Sequence, residues 1–259
     1  MALVSIITPS YNSSPFISNT LKSVASQSFD NWEMIIVDDY SSDNSAEVIQ
    51  QYASQDPRIK FIQLEKNSGA AVARNTAIEA STGRFIAFLD SDDLWHPEKL
   101  EKQINFMLEN EVAFSYTAYE KIDENGVPFQ TMPVPKKINY NNLLKTNVIG
   151  CLTAVYDTKY LGKIYMPTNT KREDFAAWLS ILKKTDCAYG MPDVLAQYRV
   201  YESQSSSKKA SMAKENWRLY RDIEKLNIFK ASYYFFHYAV RGVLRTRLPR
   251  LATALGFFN

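Results

Sequence analysis

The stretch Phe85-Ile86-Ala87-Phe88-Leu89-Asp90-Ser91-Asp92-Asp93 runs five apolar residues straight into three carboxylates within four positions. An apolar run of this length closed by a turn reads as a buried strand. Carboxylates crowded at its end repel one another, which suits them to hold a divalent cation. The competing reading is a solvated acidic turn that caps a helix starting near Pro97. A second stretch, Glu33-Met34-Ile35-Ile36-Val37-Asp38-Asp39, repeats the design and is followed by Ser41, Ser42, Asp43 and Asn44. In open α/β sheets ligands bind beyond the carboxyl ends of the strands, so two acidic strand ends predict one shared site. Asp43 and Asn44 read as helix caps, with Glu47 as a capping-box partner.

Working outward, strand patterns fall near 3–8, 33–38, 59–64 and 84–90, separated by helical spacing near 15–27, 44–55 and 70–81. That alternation predicts a βαβ layout. A helix follows at about 97–109, then a Tyr-rich strand at 112–121. A turn-rich stretch next carries Gly126, Pro128, Pro133 and Pro135 and breaks the regularity. Beyond it come a helical run through Trp178 and Leu182, a strand at Val194-Leu195-Ala196-Gln197-Tyr198-Arg199 and two further helical patterns.

The chain has 259 residues and 46% hydrophobic content, enough to bury a substantial core. Cys151 and Cys187 show no ligand spacing, and with only His96 and His237 beside them a zinc site is not expected. The N-terminal segment lacks a basic leader and reads as the first strand, which predicts a cytoplasmic protein.

These pieces, in this order, resemble the family-2 glycosyltransferases. The resemblance is carried by Thr8-Pro9-Ser10-Tyr11-Asn12, Val37-Asp38-Asp39, Asn67 and Gly69 with Ala73-Arg74-Asn75, Asp90-Ser91-Asp92-Asp93, and Arg172-Glu173-Asp174 with Trp178. It implies a GT-A type α/β fold, with a mixed, mostly parallel sheet flanked by helices. Residues 1–205 would form the transferase domain, its nucleotide-sugar part about 1–110 and its acceptor part about 111–205. Residues 206–259 would form a helical extension.

The resemblance further implies that Pro9, Tyr11, Asp39 and Arg74 surround the nucleotide. Asp90, Ser91 and Asp92 would face the diphosphate, with Asp92 and Asp90 as ligands of Mn²⁺ or Mg²⁺, a choice that suits oxygen donors. Asp174 would be the general base of a direct, inverting displacement, with Glu173 in support. On residue chemistry alone, Glu173 and Asp174 also read as acids favouring a helix N-terminus, Arg74 as an exposed helix charge, Tyr11 as a core aromatic, and Asp93 as a cap or supporting group.

Two departures stand out. Tyr40 occupies a turn position where the family commonly has Gly, so the nucleotide loop is expected to differ. Tyr201 stands where the family often has a metal-approaching His, and a phenol is a poor ligand at neutral pH. Arg199 and Ser205 remain candidates for phosphate contact, for a salt bridge or for a solvated loop. The polymerising relatives' QxxRW-type motif is missing, so one sugar per encounter is expected.

The net charge of +2 hides an asymmetry: residues 1–207 hold 19 basic and 25 acidic side chains, residues 208–259 hold 11 and 3. After Glu224 there is no acid, and Arg241, Arg245, Arg247 and Arg250 interleave with aromatic and aliphatic residues. This pattern reads as an interfacial helix on an anionic membrane surface, or as one packed on its own domain or a partner subunit. Nucleic acid is not expected as a partner.

The resulting expectation is a transferase on the inner face of the plasma membrane. It would move one sugar from a UDP-sugar to a saccharide on a polyisoprenyl diphosphate, in surface polysaccharide synthesis. The alternatives are a non-catalytic nucleotide-sugar-binding protein, or an NDP-sugar nucleotidyltransferase, whose usual glycine-rich basic first loop is absent here.

Overall fold

The computed structural model describes residues 2–201 and 209–247. Its elements run β1 (Val4–Ser10), α1 (Ile17–Ala25), β2 (Trp32–Asp38), α2 (Ser45–Gln55), β3 (Ile59–Gln63), α3 (Ala70–Ala80), β4 (Phe85–Phe88), β5 (Leu94–Trp95), α4 (Lys99–Glu109) and β6 (Phe114–Ile122). Then follow β7 (Pro128–Met132), β8 (Lys137–Ile138), α5 (Tyr140–Lys145), β9 (Val155–Asp157), α6 (Thr158–Leu161), α7 (Glu173–Leu182), β10 (Ala188–Arg199), α8 (Lys209–Arg218) and α9 (Ile228–Arg247).

One sheet carries all ten strands, in the order β3-β2-β1-β4-β9-β6-β10-β5, with β7 on β6 and β8 on β10. The pairs β3/β2, β2/β1, β1/β4 and β6/β10 are parallel, whereas β9 runs antiparallel between β4 and β6. With β5 and β8 antiparallel to β10, and β7 antiparallel to β6, the sheet is mixed, as expected, with four parallel and five antiparallel pairings among the described residues.

Strands β1 and β2 are buried along their whole length, because helices cover both faces of the sheet. The pleat divides them cleanly. Ile7, Ile35, Val37, Ile86 and Phe88 face a core shared with α3, α5 and α7, while Ile6, Met34, Ile36, Phe85 and Ala87 face a core shared with α1 and α4. The start of α3, Ala70-Ala71-Val72-Ala73, is built of small residues, which lets this helix lie close on β1 and β2.

Glu33 locks the sheet at the edge opposite the carboxyl ends of these strands. Its side chain accepts from the Ser5 hydroxyl, the Lys60 ammonium, and the amide and hydroxyl of Thr82. Burial alone would push this carboxyl up, yet Lys60 and the other donors hold it down at about 2.

Some local expectations are corrected. The acidic turn after β4 does not cap α4, whose Leu100 amide donates instead to Oε1 of Gln27 at 3.0 Å, and Glu47 forms no capping box with Asn44. Asp43 instead accepts from the Ser14 and Ser45 amides, a structural role as expected. The Pro-rich stretch holds an exposed hairpin strand, β7, where Pro128 sits at an edge that tolerates its missing N–H.

Candidate active site

Strands β2 and β3 lie on one side of β1 and β4 on the other, so the strand order reverses between β1 and β4. A crevice opens there at the carboxyl ends. It is a cleft of about 1130 Å³ whose walls include Arg74, Asp90, Asp92, Asp93, Glu173 and Asp174.

Asp90 is the second residue past β4, just after the Leu89 amide closes on the Ile7 carbonyl at 3.1 Å. Its Oδ1 accepts from Nη2 of Arg74 at 2.6 Å, and Nη1 of the same guanidinium donates to Oε1 of Glu173 at 3.0 Å. Arg74 is only 7% exposed at its side chain. It is thus not an exposed helix charge but a buried bridge from the end of β4 to the start of α7. Burial pulls the guanidinium pKa down, and the neighbouring Asp90 and Glu173 carboxylates more than reverse this, holding it well above the ordinary value. Burial pushes the Glu173 carboxyl up, and Arg74 opposes the rise. Arg74→Met would leave both carboxylates unpaired in the cleft wall, at an expected cost of about 3 kcal/mol. Urea unfolding checks this; a cost below about 1 kcal/mol would show that the bridge is dispensable.

Asp92 accepts at Oδ2 from the Tyr201 hydroxyl, 2.8 Å away. The residue at the expected histidine position therefore holds the acid in place rather than offering a further ligand. Burial, and then the charge of Asp90, raise the Asp92 carboxyl above the usual range.

Asp93 is buried deeper, and burial followed by its two acidic neighbours pushes its pKa well up. It accepts from the Arg199 amide at 2.9 Å, which makes it a clamp between the acidic turn and β10. The Arg199 guanidinium donates to the carbonyls of Asp92, Asp123 and Glu124 and lies 4.8 Å over the Phe16 ring. It braces the loop. Ser205 lies outside the described residues. The turn is fixed from the other side by the Thr20 hydroxyl, which donates to the carbonyls of Ser91 and Asp93.

Asp39 closes the next strand end. Its two oxygens accept from the amides of Ser68 and Gly69 at 2.6 and 2.8 Å, at the entry to α3. Gly69 takes φ 92°, a left-handed conformation that glycine reaches without strain, and this aims both amides at the carboxylate. Asp38 turns inward onto the amide of Ser41. Tyr40 adopts φ 62° despite its side chain, so the loop keeps the glycine-type conformation at a cost of about 1–2 kcal/mol. Tyr11 is 52% exposed, not a core aromatic.

Asp90, Asp92, Arg74 and Asp174 thus share the cleft wall. Asp39 borders it through Ser68 and Gly69, while Pro9, Tyr11 and Ser91 do not line it. Asp174 opens α7, and its Oδ1 accepts from the Phe175 amide at 2.6 Å, which fixes the carboxylate's orientation.

Sequence reasoning missed Cys151, Tyr119 and Tyr198 as wall residues, and Ser211 and Met212 of α8. The two tyrosines meet edge to face at 6.2 Å. Only the alternation of β6 and β10 hinted at their shared face. Burial pushes the Cys151 thiol well up, which keeps it protonated.

Asp90 and Asp92 offer the all-oxygen donor set that a hard divalent cation takes. Burial and the Asp90 charge raise the Asp92 carboxyl, and the Tyr201 hydroxyl and the Arg199 charge offset them only in part. Arg74 already occupies Asp90, so Asp92 fits best. Among the described residues no group of three or more His, Cys, Asp or Glu is arranged to hold a metal.

The profile of glycosyl transferase family 2 matches residues 5–161. TuaG of Bacillus subtilis (strain 168), named as a teichuronic acid biosynthesis glycosyltransferase, is 48% identical over 242 residues, covering 93% of this chain and 96% of its own. WfgD of Escherichia coli, named UDP-Glc:alpha-D-GlcNAc-diphosphoundecaprenol beta-1,3-glucosyltransferase, is 43% identical over 242 residues, covering 93% of this chain and 94% of its own. The solved structure of Staphylococcus aureus TarS 1–349 in complex with UDP superposes with a TM-score of 0.70 at 23% identity, covering 95% of this chain and 74% of that one. Matched by the profile over more than half its length, and by relatives end to end, the chain belongs to glycosyltransferase family 2 and has the GT-A type fold.

Proposed function

We propose that this chain is an inverting glycosyltransferase that moves one glucose unit from UDP-glucose to a hydroxyl of a saccharide carried on a polyisoprenyl diphosphate, in surface polysaccharide synthesis. The observation that carries the reading is the Arg74 bridge, which sets the acids after β4 and the acids opening α7 in one cleft. One side then has the chemistry for a nucleoside diphosphate, the other for an acceptor hydroxyl. Donor and acceptor class follow the 43% identical relative, whose name gives UDP-Glc and a GlcNAc-diphosphoundecaprenol. A β linkage formed from an α-linked nucleotide sugar is an inversion.

In this reading Asp39, Pro9 and Tyr11 hold the nucleoside, Ser91 and Arg74 flank the diphosphate side, and Asp92, with Asp90, holds Mn²⁺ or Mg²⁺. When bound, the cation supplies Lewis-acid stabilisation of the departing diphosphate. Asp174 takes the proton of the acceptor hydroxyl as its oxygen bonds to the anomeric carbon. The bond from that carbon to the UDP oxygen breaks in the same displacement, and UDP leaves. The Phe175 amide keeps the receiving carboxylate aimed, and Glu173 is held by Arg74 beside it. Residues 1–205 act as the transferase domain, and 206–259 as its helical extension.

Incubation with a panel of UDP-sugars and a GlcNAc diphosphate acceptor tests the reading. Transfer from UDP-glucose alone is expected, and none from any UDP-sugar would refute it.

We further place the protein on the cytoplasmic face of the membrane. On α9, Phe229, Tyr233, Phe236 and Val240 recur at i, i+4, i+7 and i+11 and are all exposed, on a segment with no acid after Glu224. No described helix is long and apolar enough to cross a membrane. Flotation with anionic liposomes at low salt is expected, weakened severalfold by Phe229→Asp with Phe236→Asp; protein that stays at the bottom of the gradient contradicts this placement.

A further inference from the structure

Among the described residues three cations line the cleft, and they are not equivalent. Arg74 is consumed by Asp90 and Glu173. Lys171 and Arg172, the two residues before Glu173, also line it, and neither forms an ion pair among the described residues. Arg172 is half-buried, with Nε wholly shielded from solvent and without a hydrogen-bond partner. Its guanidinium sits 5.3 Å from the Phe175 ring, and its amide donates to the Thr170 hydroxyl at 3.0 Å. Among the described residues no hydrogen bond or ion pair takes up this guanidinium, and as a cleft-lining group it has N–H donors beyond Nε to offer an anion. Two adjacent cations, one of them a planar fork, match the geometry and charge of phosphoryl oxygens.

Two diphosphates belong to the reaction proposed above, one on the donor and one on the acceptor. The donor's lies with Asp90 and Asp92 and their cation. Lys171 and Arg172 instead stand beside Asp174, on the same turn that presents the base to the acceptor hydroxyl. Resting on that proposed acceptor class, we infer that Lys171 and Arg172 form the subsite for the acceptor's diphosphate. A sugar whose anomeric phosphate is seated there has its ring laid across to Asp174, so the anion selects lipid-diphosphate-linked acceptors and orients the attacking hydroxyl at once.

The test compares two acceptors, N-acetylglucosamine α-diphosphate on a short alkyl chain and the same sugar as an uncharged α-alkyl glycoside, both with UDP-glucose. The wild-type ratio of kcat/KM should favour the diphosphate, and K171Q with R172Q should lower that ratio by about 10- to 100-fold, the loss expected for charged hydrogen bonds. R172K should recover part of it. UDP affinity, measured by calorimetry on the same proteins, should change less than about twofold. K171Q alone, at an exposed position, gives the same direction without risk to the fold. A wild-type preference that survives in the double variant overturns the inference and leaves the proposed function standing. A UDP affinity that falls with the ratio overturns it in favour of the donor's diphosphate. A wild-type enzyme indifferent to the two acceptors overturns the acceptor class and the inference together.

Discussion

Asp174→Asn is expected to leave UDP affinity within about twofold of wild type and to slow sugar transfer by about 10²- to 10⁴-fold. The substitution keeps the side chain's size and its Oδ1 acceptor for the Phe175 amide, so α7 starts as before. What it removes is the basic oxygen proposed to receive the acceptor's proton. The deficit should therefore appear in kcat, with KM for the donor little changed. Calorimetry with UDP and a transfer assay on the same preparation separate the two effects. Transfer at the wild-type rate would remove Asp174 from the base's role.

Asp92→Ala should weaken cation-dependent UDP binding by at least about 100-fold, and transfer with it. Burial and the nearby Asp90 destabilise the ionised Asp92 when no cation is near, so the acid is set to gain from one. Removal of the carboxylate also frees the Tyr201 hydroxyl, which is why Tyr201→Phe is the control. That change takes away one hydrogen bond and spares the ligand, and it should cost only about tenfold or less. UDP titrations with Mn²⁺ and with a chelator check both. Normal manganese dependence in Asp92→Ala would refute the ligand role.

Strands β2 and β4 were legible because each centres on an apolar run that ends in acids. Strands β1, β2 and β4 lie within two residues of where periodicity puts their N-terminal ends. Strand β9, which runs antiparallel between β4 and β6, has three residues, too few to establish a period. Strand β7 was hidden by Pro128, since an edge strand and a turn share the same residues.

In the site, residue types were legible and their partners were not. The acids at 90 and 92 were singled out by their position at a strand end, whereas Asp174 alone reads as a helix-terminus acid and took its role as base from the family likeness. That Arg74 would bridge to Glu173, 99 positions away, depends on how α3 and α7 pack. The same holds for Tyr201 with Asp92, 109 positions apart, and for Arg199, which braces the acidic turn through backbone carbonyls. Family likeness supplied the nucleoside-binding roles of Pro9, Tyr11 and Asp39; their own chemistry only permitted them.

Transfer of a sugar from a UDP donor with inversion is the activity proposed for this cleft. It is tested most directly by NMR of the disaccharide formed from UDP-glucose and N-acetylglucosamine α-diphosphate on a lipid or alkyl carrier. The account predicts a new glucosyl residue whose anomeric coupling marks it as β-linked. An α-linked product, or hydrolysis of UDP-glucose without any linkage formed, would contradict it.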